Sequence, residues 1–218
     1  MTLIIATSQA DAAYLVTDTA NYQEDGTVCG LHSKITVLPG VAGAITYEGL
    51  SHPENVAKMA GALNIRTPRD LVRNLGTLAV ELHAWTTHWN PNESRPEVLL
   101  CAIVHDPEIG PSAWIAHSGG ALDRPGLSMG VPRRVAGYWN FGDPSIALGR
   151  KIVMNDPASF DVERDGIMLA EAARAGPWDD GPGHFVGGCV EITTVGPKGI
   201  TTRQIQKWKD RIGHRIKP

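Results

Sequence analysis

The stretch Thr2-Leu3-Ile4-Ile5-Ala6-Thr7-Ser8-Gln9-Ala10-Asp11-Ala12-Ala13-Tyr14-Leu15-Val16-Thr17-Asp18 decides how this chain is to be read. Leu3 to Ala6 is a short apolar run of the length that suits a buried strand. Ala12 to Thr17 is a second one, and Asp11 supplies a turn between them. The chain therefore opens with a hairpin whose first strand begins at Thr2.

Working outward, Lys34 to Leu38 and Val41 to Tyr47 read as another strand pair around Pro39-Gly40, after a loop punctuated by Gly26 and Gly30. Ser51 and Pro53 then start a helix that runs to Leu63. Thr67-Pro68-Arg69-Asp70 starts a second, with Thr as cap, Pro in the first position and Asp three residues after the cap. Leu71, Leu75, Leu78 and Leu82 recur at helical spacing along it, and Asn90-Pro91-Asn92 ends it. Val98 to Val104 and Ser112 to His117 are two further strands. A Gly/Pro-rich stretch, 119–132, carries turns. Pro144 to Met154 and Val162 to Ala173 are expected as helices. Val190 to Val195 and Ile200 to Gln204 flank Gly196-Pro197-Lys198-Gly199 as a closing hairpin, and Lys207 to Pro218 is a short basic tail.

This order is four strands, two helices, two strands, two helices and two strands. Antiparallel strands with grouped helices indicate a layered α+β domain, not alternating βαβ units. No GxGxxG or GxxxxGK[ST] motif argues for a doubly wound nucleotide fold. The 218 residues suit one domain, in which roughly 70% of the unfolded surface can be buried. With 42% hydrophobic and 20% charged residues the composition is that of a globular protein. A net charge of −3 argues against a dedicated nucleic-acid binder. No apolar run approaches the ~20 residues that span a bilayer. The first residues lack the basic segment of a secretory signal, so a cytoplasmic location is expected. Cys29, Cys101 and Cys189 are odd in number, widely spaced and without a CxxC, which excludes a disulfide framework or cysteine zinc site from the expectations.

Chemistry points to Thr2. Thr is small enough for a preceding Met1 to be removed, which would leave a free α-amine beside the Thr2 hydroxyl. A hydroxyl is a weak nucleophile, and a neighbouring amine titrating near pH 8 can take its proton. Asp18 ends the second strand and Lys34 opens the third. A Lys near an amine–hydroxyl pair lowers the pKa of both, and an Asp holds such a Lys charged and oriented. Strand order alone does not bring either group to Thr2.

Thr2-Leu3-Ile4-Ile5-Ala6, Val16-Thr17-Asp18-Thr19, Ser33-Lys34-Ile35 and Ala44-Ile45-Thr46-Tyr47-Glu48-Gly49 together resemble the opening of proteasome-type β subunits, among them the bacterial ATP-dependent ring peptidases and bacterial proteasome-like proteins. The resemblance continues to Gly187-Gly188-Cys189-Val190-Glu191-Ile192 and Gly196-Pro197-Lys198-Gly199. It implies a four-layer αββα sandwich of the N-terminal-nucleophile hydrolases. It also implies Thr2 as nucleophile with its own amine as general base, and Lys34 with Asp18 as an electrostatic pair. The Gly49 N–H would be the oxyanion donor, and Asn21, Tyr22, His32 and Thr46 would line the substrate groove. The implied reaction is peptide hydrolysis in a homo-oligomer, a ring or an open helical assembly, with no cofactor and no metal. An ATPase feeder is left open. The sequence departs from the family at Ala20 (usually Arg), at Asp143 in place of a supporting Ser, and at Gly183 and Val186 in place of an Asp and a Ser. Two rival readings stand beside it: an inactive scaffold that kept the fold, and an amidase acting on a small molecule.

Other polar clusters read as ordinary surface. His83 and His88 lie five apart, a poor match to a helical zinc pair. Trp85 and Trp89 read as core or subunit-interface anchors. Asp179, Asp180 and His184 fit a Gly/Pro-rich turn. Lys207, Lys209, Arg211, Arg215 and Lys217 read as a solvated terminus.

Overall fold

The computed structural model describes residues 2–23, 25–49, 53–89, 97–119, 127–176 and 184–217. In chain order these form β1 (Ile4–Ser8), β2 (Ala13–Asp18), β3 (Ala20–Tyr22), β4 (Val28–Leu31), β5 (Thr36–Val37), β6 (Gly43–Glu48), α1 (Pro53–Ala62) and α2 (Pro68–Trp89). They continue with β7 (Leu99–Asp106), β8 (Gly110–His117), β9 (Arg133–Val135), β10 (Gly137–Trp139), α3 (Pro144–Ala147), α4 (Val162–Ala175), β11 (Cys189–Gly196) and β12 (Gly199–Lys207). One five-stranded sheet has the order β10-β1-β2-β11-β12, another β5-β6-β7-β8-β9, and β3-β4 is a small third sheet. Every pairing within them is antiparallel.

Strand alternation explains the packing. In β1, Ile4 and Ala6 point toward the second large sheet, where they meet Leu99, Cys101, Ile103 and Ile115. Ile5 and, from β2, Val16 point the other way, onto Leu169, Ala170 and Ala173 of α4 and onto Phe160. The second sheet buries Ile45, Tyr47, Leu100 and Ala102 under Leu71, Leu75, Leu78 and Leu82 of α2. The leucine spacing thus builds a core face, as the periodicity predicts. The start of α2 is set locally: Thr67 Oγ1 accepts from Asp70 N at 3.0 Å, and Asp70 Oδ2 accepts from Thr67 N at 3.0 Å. That is a capping box with Asp in the acidic place.

The expected four-layer αββα sandwich is corrected. The described residues are mixed α+β but mostly antiparallel sheet: twelve strands in three sheets, with four helices. Of these, α3 is only four residues long. The helix expected over Pro144 to Met154 breaks off after Ala147, where Leu148 caps it and Gly149 takes a φ of +63°. A left-handed glycine ends a helix at little cost. The outer face of the first sheet is therefore covered by the single helix α4 and by irregular chain that inserts Met154 and Phe160. Four strands beyond expectation, β3, β4, β9 and β10, are each three or four residues long.

The basic side chains of the C-terminal segment, Lys207, Lys209, Arg211, Arg215 and Lys217, are exposed as expected, while its backbone and Ile216 dock on the domain. Ile216 is buried, Thr27 bridges to Arg215, and Val28 N donates to the His214 carbonyl at 3.0 Å. Ser51 as a helix cap, the Asn90-Pro91-Asn92 stop and much of the 119–132 stretch lie outside the described residues. Among the described residues no helix is long and apolar enough to cross a membrane.

Candidate active site

Antiparallel register brings distant residues to one end of the first sheet. Ile4 pairs with Thr17, so Leu3 leaves the sheet beside Asp18. Val190 of β11 pairs with Asp18, which carries Gly187-Gly188 to the same place. Ile5 pairs with Trp139 of β10, so Asn140 follows there too.

Asp18 is the hub. Its Oδ1 accepts Lys34 Nζ at 2.8 Å and the Leu3 N–H at 3.0 Å. Its Oδ2 accepts the Gly187 N–H at 3.2 Å and the Ala20 N–H at 3.3 Å. A carboxylate offers about four acceptor directions, and here four N–H donors use them. Burying a charge is tolerable only with that degree of compensation, and both side chains are almost sealed, at 0% and 2% exposure. Lys34 is therefore one shared oxygen away from the amide that follows Thr2. Its backbone is held as well, because Thr46 Oγ1 donates to the Lys34 carbonyl at 3.1 Å.

Thr2 itself is buried. Its carbonyl accepts Asn140 Nδ2 at 2.6 Å, and Asn140 Oδ1 accepts the Ile4 N–H at 2.9 Å. The same Asn140 Nδ2 lies 3.4 Å from Glu48 Oε2 at the end of β6. Gly49 follows Glu48 with a φ of +119°, and a Cβ there would stand 2.2 Å from the Glu97 carbonyl oxygen. Only glycine fits that backbone approach. Met1, whose removal would free the Thr2 amine, lies outside the described residues.

The expected groove residues divide. The Tyr22 ring has Lys34 Nζ 5.7 Å from its centroid and packs on Phe185 at 4.7 Å. Burial, followed by the charges of Asp18 and Glu48, holds the Tyr22 phenol well above its usual pKa. It forms one wall of the Lys34 ammonium's surroundings. Asn21 of β3 and His32, just after β4, meet in an exposed contact, with Asn21 Nδ2 2.6 Å from His32 Nε2. Thr46 is fully buried, and its hydroxyl is committed to the Lys34 strand.

Asn140 is the residue that sequence reading missed. Its signal is slight: one amide between Trp139 and Phe141, just past a three-residue strand. Asp143 is engaged locally. It caps α3, accepting the Ser145 N–H at 2.8 Å. Val186 instead supplies its carbonyl to Arg174 Nη1 at 2.8 Å. Gly183, Asp179 and Asp180 lie outside the described residues.

Elsewhere, His83 Nδ1 is 2.8 Å from Ser118 Oγ, and His88 packs edge-on against Trp89. Trp85 and Trp89 are 37% and 63% exposed, so neither is a core anchor. His184 Nδ1 lies 2.9 Å from the Arg174 carbonyl. Among the described residues no group of three or more His, Cys, Asp or Glu is arranged to hold a metal ion. Comparison of the sequence with protein-family models and with curated proteins finds no match.

Proposed function

We propose that the chain is an amide hydrolase whose nucleophile is Thr2, freed by cleavage of the peptide bond that precedes it. The observation that carries this reading is the shared Asp18 oxygen, which ties the buried Lys34 ammonium to the amide immediately after Thr2. In the reaction, Thr2 Oγ attacks the substrate carbonyl carbon as the α-amine takes the hydroxyl proton. The tetrahedral oxyanion is stabilised by the Gly49 N–H and the field of Lys34, a donor of this kind being worth on the order of 3 kcal/mol. The amine then passes its proton to the leaving nitrogen as the C–N bond breaks. Water, deprotonated by the same amine, cleaves the resulting ester and restores Thr2.

Lys34 suits this role because its side chain is sealed and its charge is held by one hydrogen-bonded acceptor among the described residues, Asp18. Peptides are the substrate class, in a homo-oligomer whose size gel filtration with light scattering would read.

The test is the intact mass of purified protein before and after an epoxyketone, which forms its ring only with a free amine and a hydroxyl on one residue. A mass beginning at Thr2 plus one probe mass, lost in Thr2→Ala, is the expected result. A processed protein that takes up no probe overturns the reading, and a protein still carrying its preceding residue would behave as an inactive scaffold.

A further inference from the structure

We propose that the Arg174–Asp210 ion pair is a positioning device for this site, acting through the Gly187-Gly188 turn on Asp18; its catalytic consequence rests on the hydrolase reading.

The turn is gripped on two sides. On one, the Gly187 N–H donates to Asp18 Oδ2 at 3.2 Å, while the Gly187 carbonyl accepts from Thr19 N at 3.3 Å and Ala20 N at 3.1 Å. Both polar groups of this residue are therefore spent on the segment that carries Asp18. On the other side, the Gly188 N–H donates to Asp210 Oδ2 at 2.8 Å, and the Gly188 carbonyl accepts from Trp208 N at 2.9 Å. Neither glycine has room for a side chain: a Cβ on Gly187 would stand 2.8 Å from Asp210 Oδ2, and one on Gly188 2.4 Å from Thr19 Oγ1.

Asp210 is in turn fixed by Arg174. Nη1 and Nη2 reach Oδ2 and Oδ1 at 2.8 Å each, with the side chains only 7% and 6% exposed. The guanidinium stacks 4.6 Å from the Trp208 ring centroid, donates to the Val186 carbonyl at 2.8 Å and also reaches the Lys217 carbonyl. A planar two-pronged pair restricts orientation as well as distance. As a net source of stability a buried ion pair is weak, so its value here is geometric. The path runs from α4 through Asp210 and the glycine turn to Asp18, and so to Lys34 and the Leu3 amide. Productive geometry is commonly held within about 0.5 Å, which such a chain of short contacts can impose.

The test uses the full chain with Asp210→Asn, and with Arg174→Lys as the second variant, which keeps the charge but gives up the two-pronged grip. Amide exchange of Leu3, Ala20 and Gly187 is expected to accelerate while that of Cys101 and Ile103 in β7 does not. In the folded variants the maximal rate of epoxyketone uptake is expected to fall at least about tenfold, since a 1 Å misplacement costs on the order of 100-fold. The half-saturating probe concentration is expected to stay within about twofold, as befits a loss confined to the chemical step. An unchanged maximal rate in a folded variant, or exchange that rises evenly across the molecule, overturns the proposal. If the parent protein takes no probe, the hydrolase reading falls by itself. The exchange pattern still decides whether Arg174 and Asp210 position Asp18.

Discussion

Lys34 and Asp18 form a buried ion pair, Nζ to Oδ1 at 2.8 Å, across sixteen residues of sequence. Removing one member leaves the other charged and unpaired in the interior. Lys34→Met or Asp18→Leu alone should therefore destabilise the fold by about 3–5 kcal/mol. The double replacement Asp18→Leu with Lys34→Met should recover part of that loss, though the Leu3 and Gly187 N–H groups lose their acceptor, while Ala20 N keeps the Gly187 carbonyl. Denaturant titrations of the three variants check this; single variants within experimental error of the parent would contradict it.

Asn140 joins the Thr2 carbonyl to the Ile4 N–H across the sheet end. Asn140→Ala strands a buried donor and acceptor, each worth about 1–3 kcal/mol when left unmade. Amide exchange should rise at Ile4 while the β7–β8 pairing keeps its protection. The rate of probe uptake at Thr2 should fall with it. Equal exchange at Ile4 in parent and variant would show that Asn140 does not hold this segment.

Gly49 combines a φ of +119° with a Cβ position 2.2 Å from a backbone oxygen. Gly49→Ala forces either strain or displacement of the Glu97 backbone, and strained backbone of this kind costs about 1–3 kcal/mol. A thermal melt should show a lower midpoint. An Ala variant as stable as the parent would mean that the Gly49–Glu97 approach relaxes freely.

Burial and the nearby charges of Asp18 and Glu48 keep the Tyr22 phenol protonated beyond its ordinary range. Free tyrosine ionises near pH 10. Because the folded pKa lies above the unfolded one, the stability linked to Tyr22 is fully present below about pH 10 and drains away as pH climbs toward the folded value. Phenolate absorbance of parent and Tyr22→Phe should therefore coincide at about pH 10 and diverge only as the fold opens. A Tyr22 phenolate signal appearing near pH 10 would place the ring in solvent.

By itself the sequence determined what short-range physics controls. The capping box of Thr67 and Asp70, the leucine stripe of α2, the β11–β12 hairpin and the mixed α+β character each depend on residues a few positions apart. Such interactions are written locally. The Thr2, Asp18 and Lys34 set was also readable as residue types, although nothing in the local pattern required them to meet. Register decided that: pairing Ile4 with Thr17 and Val190 with Asp18 closes loops of very different length onto one carboxylate. The early stop of α3 was decided by Gly149 and by the burial of Met154 and Phe160 under the first sheet. Asn140 reaches Thr2 across 138 residues, and Asp210 reaches Gly188 across 22, through contacts that only the packed sheets create. The third sheet and the docked C-terminal segment have the same origin. Strands of three or four residues and a basic terminus carry too little periodic signal, and what holds them is the tertiary surface they land on.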